Sequence, residues 1–374
     1  MKQLYAHLRA GLCMLLVCQL VFPIGSWGAT GSRDLQVEGL VDEFKEGTVL
    51  WVMSVGVSQY KDTRINLKHA DHDAQRIAQM LKTQEGVLFK EVMIHVLVNE
   101  QATREGILKG MSEFLGQAGP GDVVLIFIAG HGLRDRQTST YYFVPHNANA
   151  ENLIYAGLPM PMFDEAVKRL RNNVDKLVLW MDTCHAGAAT IGARGVNVGE
   201  DLAEALNSAS GQYVLSASMA GEESLEDDAY RLKGSERGHG AFTFSLLKGL
   251  HGDAADSNKV VWLSDLFSHV SKDVPRMTLG KQHPWGDVKG TDLPLFVVDE
   301  SVLSKVSQPI NLEDNYVPSS ASSIAPKKKG GSKKWLYLLV GGAAVSGAAV
   351  VGLSGGGGGD SEETGSITID VQVP

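Results

Sequence analysis

The chain has 374 residues, 44% of them hydrophobic and 21% charged, with a mean hydropathy of −0.04, the composition of an ordinary soluble globular protein over most of its length. Its formal net charge of −9 and isoelectric point of about 5.7 argue against nucleic acid as a partner.

Lys2 and Arg9 give the chain a basic start, an apolar stretch runs from Leu12 to Ile24, and Ser26 and Gly28 are small residues placed for a cut after Gly28. Residues 1–28 read as a secretory signal peptide, which makes the protein an exported one of the periplasm or cell envelope. Cys13 and Cys18 lie inside its apolar core, and Val17 stands before Cys18 where a lipoprotein signal wants a small residue. The mature chain then keeps one cysteine, Cys184, an unusual state for an oxidising compartment.

Residues 47–299 are enough for one large α/β domain with a full core. Thr48 to Val57 is short, rich in β-branched residues and almost continuously apolar, as a strand buried on both faces should be. Ala70, Ala74, Ile77, Ala78 and Leu81 recur at helical spacing, which predicts a helix over Leu67 to Lys82. Val92 to Val98 reads as the second strand, and a helix capped by Thr103 follows, marked by Ile107, Leu108, Met111, Phe114 and Leu115 and stopped by Pro120-Gly121. The third strand, Val123 to Ala129, ends at Gly130-His131-Gly132. A helix over Met162 to Arg171 and a strand over Lys176 to Met181 lead to Asp182-Thr183-Cys184. Beyond them, Tyr213 to Ser218 and Leu293 to Val298 read as strands, the latter as the last one. Phe242, Leu246, Leu247 and Leu250 form one helical apolar face, and Leu263, Leu266, Phe267 and Val270 another. Strands alternating with helices imply a mainly parallel sheet with right-handed crossovers.

In such sheets, reactive groups sit outside the carboxyl ends of the strands, where both His131 and Cys184 fall. A lone thiol there, with a histidine at the end of another strand, reads as a nucleophile and its proton partner; the plain alternative is a buried, inert cysteine. Gly130 and Gly132 let the backbone turn at the strand end, and Gly132 leaves room for a substrate carbonyl. The N–H groups of Gly132 and Cys184 are the candidate oxyanion hole.

Gly130-His131-Gly132, Asp182-Thr183-Cys184-His185-Ala186-Gly187, Tyr213 to Ser218 and Gly238-His239-Gly240-Ala241-Phe242-Thr243 together resemble the catalytic domain of the caspase and metacaspase superfamily, peptidase family C14, in its bacterial branch. The resemblance covers roughly Leu50 to Val298. It implies a caspase-hemoglobinase fold, a mainly parallel six-stranded sheet sandwiched between helices, and a cysteine endopeptidase acting through a thioester intermediate. On it, Cys184 is the nucleophile and His131 the general acid and base. The animal caspase cysteine block is absent, and the form Asp182-Thr183-Cys184-His185 is closer to the metacaspase-like enzymes.

The resemblance also bears on substrate choice. Animal caspases bind an aspartate with an arginine shortly before Asp-x-Asp-Ala, but before Asp71-His72-Asp73-Ala74 the matching position is Leu67. Metacaspase-like enzymes cleave after Arg or Lys and use an acid matched by Asp182, which would attract a cationic side chain. Alternatively, Asp182 is a structural carboxylate bonding the N–H groups of its own turn. Ser216 and Glu222 complete the candidate substrate-binding set, Glu222 standing in because Ala220 and Gly221 occupy the places where further acids are expected. The segment Ala188 to Gln212 matches the linker cut during activation, and Arg194 is the candidate processing site.

His69, His72, His95, His146 and His283 read as surface or loop histidines, and His185 as a neighbour of the nucleophile that points away from it. Nothing at zinc-finger spacing supports a metal site. The acidic stretch Glu222 to Asp228 lacks the periodicity of an EF-hand and reads as a solvated loop. No cofactor is expected; calcium, which some metacaspases bind, is the weakly supported candidate. Residues 300–334 form a polar, Lys-rich linker, and 335–353 are 19 uncharged residues, about 28 Å as a helix, a possible transmembrane tether. The five lysines before that segment would place the preceding domain in the cytoplasm, against the signal peptide, and the export signal is the more complete of the two. Residues 354–374 form a Gly-rich tail with a short terminal strand. The expected partner is a protein or peptide substrate, with the oligomeric state left open. The competing reading is a catalytically silent caspase-like binding or scaffold protein of the cell envelope.

Overall fold

The computed structural model describes residues 30–306, apart from 136, 186–211, 220–221, 223 and 234. The signal peptide, the linker around Arg194, the possible transmembrane segment and the Gly-rich tail lie outside the described residues. Among the described residues, no helix is long and apolar enough to cross a membrane.

The described chain runs α1 (Thr30–Gly47), β1 (Val49–Gly56), α2 (Ala70–Lys82), β2 (Glu91–Val98), α3 (Arg104–Lys109), β3 (Val123–Arg134), β4 (Tyr141–Phe143), α4 (Leu153–Ala156), β5 (Leu158–Pro159), α5 (Met160–Arg171) and β6 (Lys176–His185). It continues through β7 (Gln212–Ser216), β8 (Glu226–Asp227), β9 (His239–Gly240), α6 (Ala241–Lys248), β10 (Val260–Trp262), α7 (Leu263–Met277), β11 (Trp285–Lys289), β12 (Pro294–Val297) and α8 (Glu300–Val306). Six strands form one row in the order β11-β7-β6-β3-β1-β2, and the short β4 and β5 extend it from the end of β3. Every neighbour in the row is parallel except β11 on β7. This is the mainly parallel sheet sandwiched between helices that the resemblance implies.

The two-residue period of each strand builds a core on each face of the sheet. On one face Leu50, Val52, Leu125, Phe127, Val178 and Trp180 pack with Ala74, Ile77 and Leu81 of α2 and with α6 and α7. On the other, Met53, Val55, Ile126, Ile128 and Leu179 pack with α3 and α5. A fully buried side chain of this size contributes about 1.5 to 3 kcal/mol, so the alternation strongly fixes the register.

Ahead of residue 47, Phe44 of α1 is buried in the core with its ring 6.0 Å from Phe89. Three expectations are corrected here. The strand at Leu293 to Val298 exists, yet it pairs with β10 in a separate two-stranded sheet; the sixth strand of the row is β11. Its sequence, Trp-Gly-Asp-Val-Lys, is an edge strand with too few apolar residues to announce itself. The third strand does not stop at Gly130: Gly132, Leu133 and Arg134 go on to pair with Phe143, Tyr142 and Tyr141. Finally, α2 starts at Ala70 rather than Leu67, since Asn66 and Leu67 hydrogen-bond back to Thr63 and Ser58.

Candidate active site

Strands β3 and β6 pair in parallel from Val123 and Lys176 onward, and this register sets His131 directly opposite Cys184. The residues that immediately precede each of them on its strand are buried, so the pair stands on a stiff support toward the carboxyl end of the sheet.

The imidazole of His131 is half-buried and oriented by the loop after β1. Its Nε2 lies 2.8 Å from the Ile65 carbonyl oxygen, which can only accept, so Nε2 carries the proton. Nδ1 therefore holds the lone pair, and it has no hydrogen-bond partner among the described residues. Burial lowers the pKa of His131, only partly opposed by the Ile65 bond, so the ring is a neutral base at pH 7. The His131 N–H donates to the Tyr60 hydroxyl at 2.9 Å, and the two rings lie 5.2 Å apart. The loop is itself braced: the Asn66 side chain accepts from the Tyr60 N–H at 2.8 Å, and Asp62 caps the turn Thr63–Ile65. Tyr60 and Ile65 are positioning residues that sequence reading missed, and nothing in their local pattern distinguishes them.

A cavity of about 560 Å³ opens beside His131, lined also by Asp62, Arg64, Asn66, Asn149 and Glu151. The Arg64 guanidinium is paired with an acid of its own loop, Nε and Nη2 bonding Asp62 at 2.8 and 2.7 Å. The same pairing holds the Asp62 pKa down to about 2.

The role expected for the glycines is corrected. Gly130 has φ +151°, and a Cβ there would stand 3.0 Å from the Phe143 ring and from the Tyr60 hydroxyl. The space over Gly132 is taken by the Tyr141 phenol, whose hydroxyl also donates to Thr183 Oγ1 at 3.4 Å. On its Cβ side Gly132 thus makes room for a tyrosine rather than for a substrate carbonyl; its N–H group leaves the backbone in another direction.

Behind the reaction edge lies a floor of buried acids. Asp182, on β6, accepts from the hydroxyls of Ser224 at 2.5 Å and Thr243 at 2.7 Å, and burial pushes its pKa up while those hydroxyls pull it back. Its described side-chain partners are thus two hydroxyls contributed by other segments. Asp73, in the first turn of α2, accepts from the Gly240 N–H at 3.0 Å and lies 2.6 Å from His239 Nδ1. Burial, then the nearby Asp182, pushes the Asp73 pKa well up. The two carboxylates flank Gly240: a Cβ there would meet Asp182 Oδ2 at 2.9 Å and Asp73 Oδ2 at 3.2 Å. Burial holds His239 neutral, with its pKa lowered to about 3. In the sequence Asp73, His239 and Thr243 stand only as parts of motifs; the fold makes them one cluster with Asp182.

The other candidates fall outside that cluster. Glu222 accepts from the N–H groups of Met219 at 3.2 Å and His283 at 2.7 Å and pairs with His283 Nδ1 at 2.7 Å, so its carboxylate closes its own loop. Ser216 is buried at the end of β7, beside Met181 of β6, with its hydroxyl 3.4 Å from the Ser218 carbonyl oxygen. The acidic stretch is not a free solvated loop: Glu226 and Asp227 form β8 against β9, and the half-buried Glu226 accepts from the Lys68 N–H at 2.7 Å. Two of the expected surface histidines are buried, His69 at the start of α2 and His95 within β2. His72 stacks on His239 with the rings 4.7 Å apart.

A sheet with histidine and cysteine opposite each other at adjacent parallel strand ends defines a caspase-like protein. The family model of the caspase domain matches residues 51–292, well over half of the chain, and the chain belongs to this family of cysteine peptidases. No curated protein matches it. Among solved structures it is similar to the protein GSU0716 of Geobacter sulfurreducens, at TM-score 0.45 and 15% identity over 67% of this chain and 97% of that one. It is also similar to the Drosophila initiator caspase Dronc, at TM-score 0.40 and 12% identity over 68% and 84%.

Proposed function

We propose that this chain is a cysteine endopeptidase in which Cys184 and His131 form the catalytic dyad. The observation that carries the reading is the β3–β6 register, which sets the two residues opposite each other while Ile65 fixes the His131 tautomer. His131 Nδ1 takes the thiol proton, the thiolate attacks the scissile carbonyl carbon, and the carbonyl electron pair moves onto oxygen. The N–H groups of Gly132 and Cys184 stabilise that oxyanion, each contributing about 2.7 to 4 kcal/mol in sites of this kind. As the tetrahedral intermediate collapses, His131 passes its proton to the leaving amine and a thioester forms. Water, deprotonated by His131, hydrolyses the thioester and regenerates the thiol.

The preferred substrate side chain is basic. Positions 182 and 184 share one face of β6 by the strand's two-residue period. A carboxylate accepts about four hydrogen bonds, and the two hydroxyls and the Thr243 N–H on Asp182 leave capacity for one further donor, a guanidinium or ammonium. Asp73 adds a second buried acid, and a cation entering there removes the repulsion between the two. Ser216 and Glu222 shape the wall of this pocket through their loops rather than by touching the substrate. Export through residues 1–28, tethering through 335–353 and self-cleavage after Arg194 belong to the same proposal; secreted protein shortened by about 28 residues would support the first.

The test is hydrolysis of fluorogenic peptides ending in Arg, Lys or Asp by the wild type and Cys184→Ala. Turnover of the Arg and Lys peptides by the wild type alone is expected. Equal turnover by both proteins removes the dyad, and a preference for Asp removes the acidic pocket.

A further inference from the structure

The cavity of about 560 Å³ beside His131 takes no part in the chemistry derived above. Its size falls within the range of about 300 to 1,000 Å³ usual for ligand-binding clefts. Part of the loop after β1, the end of β3 and residues 149–151 before α4 wall it.

The polar groups of that wall are engaged with one another. Asp62 accepts from the Arg64 N–H at 3.3 Å, from Arg64 Nε and Nη2 at 2.8 and 2.7 Å and from Asn149 Nδ2 at 3.5 Å, which fills the capacity of a carboxylate. Asn66 Oδ1 accepts from the Tyr60 N–H at 2.8 Å, and Asn149 Oδ1 from the N–H groups of Glu151 at 3.0 Å and Asn152 at 3.1 Å. An occupant is therefore left mainly with the apolar members of the wall, Ile65, Leu133 and Ala150. The exposed Glu151 adds a negative charge that repels an acidic occupant.

The strand register sets this cavity and the floor of buried acids on opposite sides of the dyad. Asp182 pairs with Ala129, two positions before the level of His131 and Cys184. Leu133 lies two positions beyond that level and pairs with Tyr142 of β4. Those four positions along β3 span about 13 Å. Successive side chains of an extended peptide point opposite ways, so a substrate whose basic residue enters the floor turns the next residue away from it. His131 returns its proton to the amine of that next residue, which must then lie against the imidazole that the cavity shares.

We propose that this cavity is a binding subsite for the residue after the scissile bond and that it selects a large apolar side chain, aliphatic or aromatic. The assignment deepens the peptidase reading and rests on it. Ile65 belongs to both arrangements, since its carbonyl holds His131 Nε2 while the residue itself walls the cavity. A well-seated apolar residue thus packs on the loop that orients the base.

The test uses internally quenched peptides that carry one Arg and differ only in the residue after it, Leu, Phe, Gly or Glu. Wild type is expected to cleave the Leu and Phe peptides with kcat/KM at least about tenfold above the Gly peptide, and the Glu peptide least. The full chain carrying Cys184→Ala should bind the uncleaved peptides in the same order, read by fluorescence anisotropy. Ala150→Glu, on an exposed loop, and Leu133→Asn should each bring the Leu and Gly peptides to within about threefold, while the preference for Arg over Asp before the bond stays unchanged. If wild type cleaves none of the peptides but the Cys184→Ala chain keeps the order of affinities, the peptidase reading falls and the apolar subsite stands. Equal affinity for the Leu, Gly and Glu peptides, a preference for Glu, or a Leu preference that survives in both variants overturns the subsite.

Discussion

His131 and His239 are both imidazoles with one nitrogen fixed by an oxygen acceptor, a pKa lowered by burial and a second nitrogen without a described partner. Their surroundings differ in what can approach. His131 is held by a neutral backbone carbonyl and faces an open cavity of about 560 Å³. His239 is held by a carboxylate and is enclosed between α2 and the start of α6. The first arrangement suits a ring that must accept and return a proton within one turnover. The second suits a ring that holds two segments together, since the carboxylate fixes which nitrogen faces it and full burial favours the neutral form. The fold therefore separates base chemistry at the sheet edge from charge storage behind it.

The largest effect expected at the edge is that of Cys184→Ala or His131→Ala, each lowering kcat/KM for a basic peptide by about 10³-fold or more in a hydrolysis assay. Gly132→Ala comes next. Its Cβ would collide with the Tyr141 phenol, so a lower melting temperature and weaker activity are expected, and the smaller side chain of Tyr141→Ala should restore part of the stability. At the floor, Asp182→Asn is expected to lower kcat/KM for Arg and Lys peptides by about 10 to 100-fold, in line with about 1.5 to 3 kcal/mol for a hydrogen bond to a charge. An unchanged Arg-to-Asp preference in that variant would show that the floor is structural only. For pH, burial favours the neutral form of His131, so the base stays available below the ordinary histidine pKa of about 6.5. The acid limb of kcat/KM should accordingly lie below 6.5, falling as pH drops through the lowered value; a limb above 6.5 would contradict the assignment. The smallest effect is that of Glu222→Gln, which should change the Arg-to-Asp preference by no more than about twofold, because that carboxylate is engaged by His283 and Met219.

Much of the fold is legible because it depends on local pattern. The runs at β1, β3 and β6 are apolar on both faces, and α2 and α7 repeat their apolar residues at helical spacing, so neighbouring residues alone announce them. Thr103 caps α3 as read, accepting from the Gly106 N–H at 3.0 Å. The edge strand β11 escaped because its pattern is weak, and α1 because its described apolar residues Leu40, Val41 and Phe44 pack on residues distant in sequence. The buried positions of His69 and His95 escaped because a lone histidine looks the same on a surface and in a core.

The sequence by itself determined that a histidine and a cysteine follow two buried apolar runs, since apolar continuity and glycine placement are properties of short segments. Only the tertiary structure decided that those strands are neighbours in register, that Ile65 rather than an acid fixes the imidazole, and that Asp182 and Asp73 meet at Gly240. The reason is physical: these contacts join residues tens to more than 150 positions apart, and their partners, a backbone carbonyl, two hydroxyls and a glycine, carry no local signal.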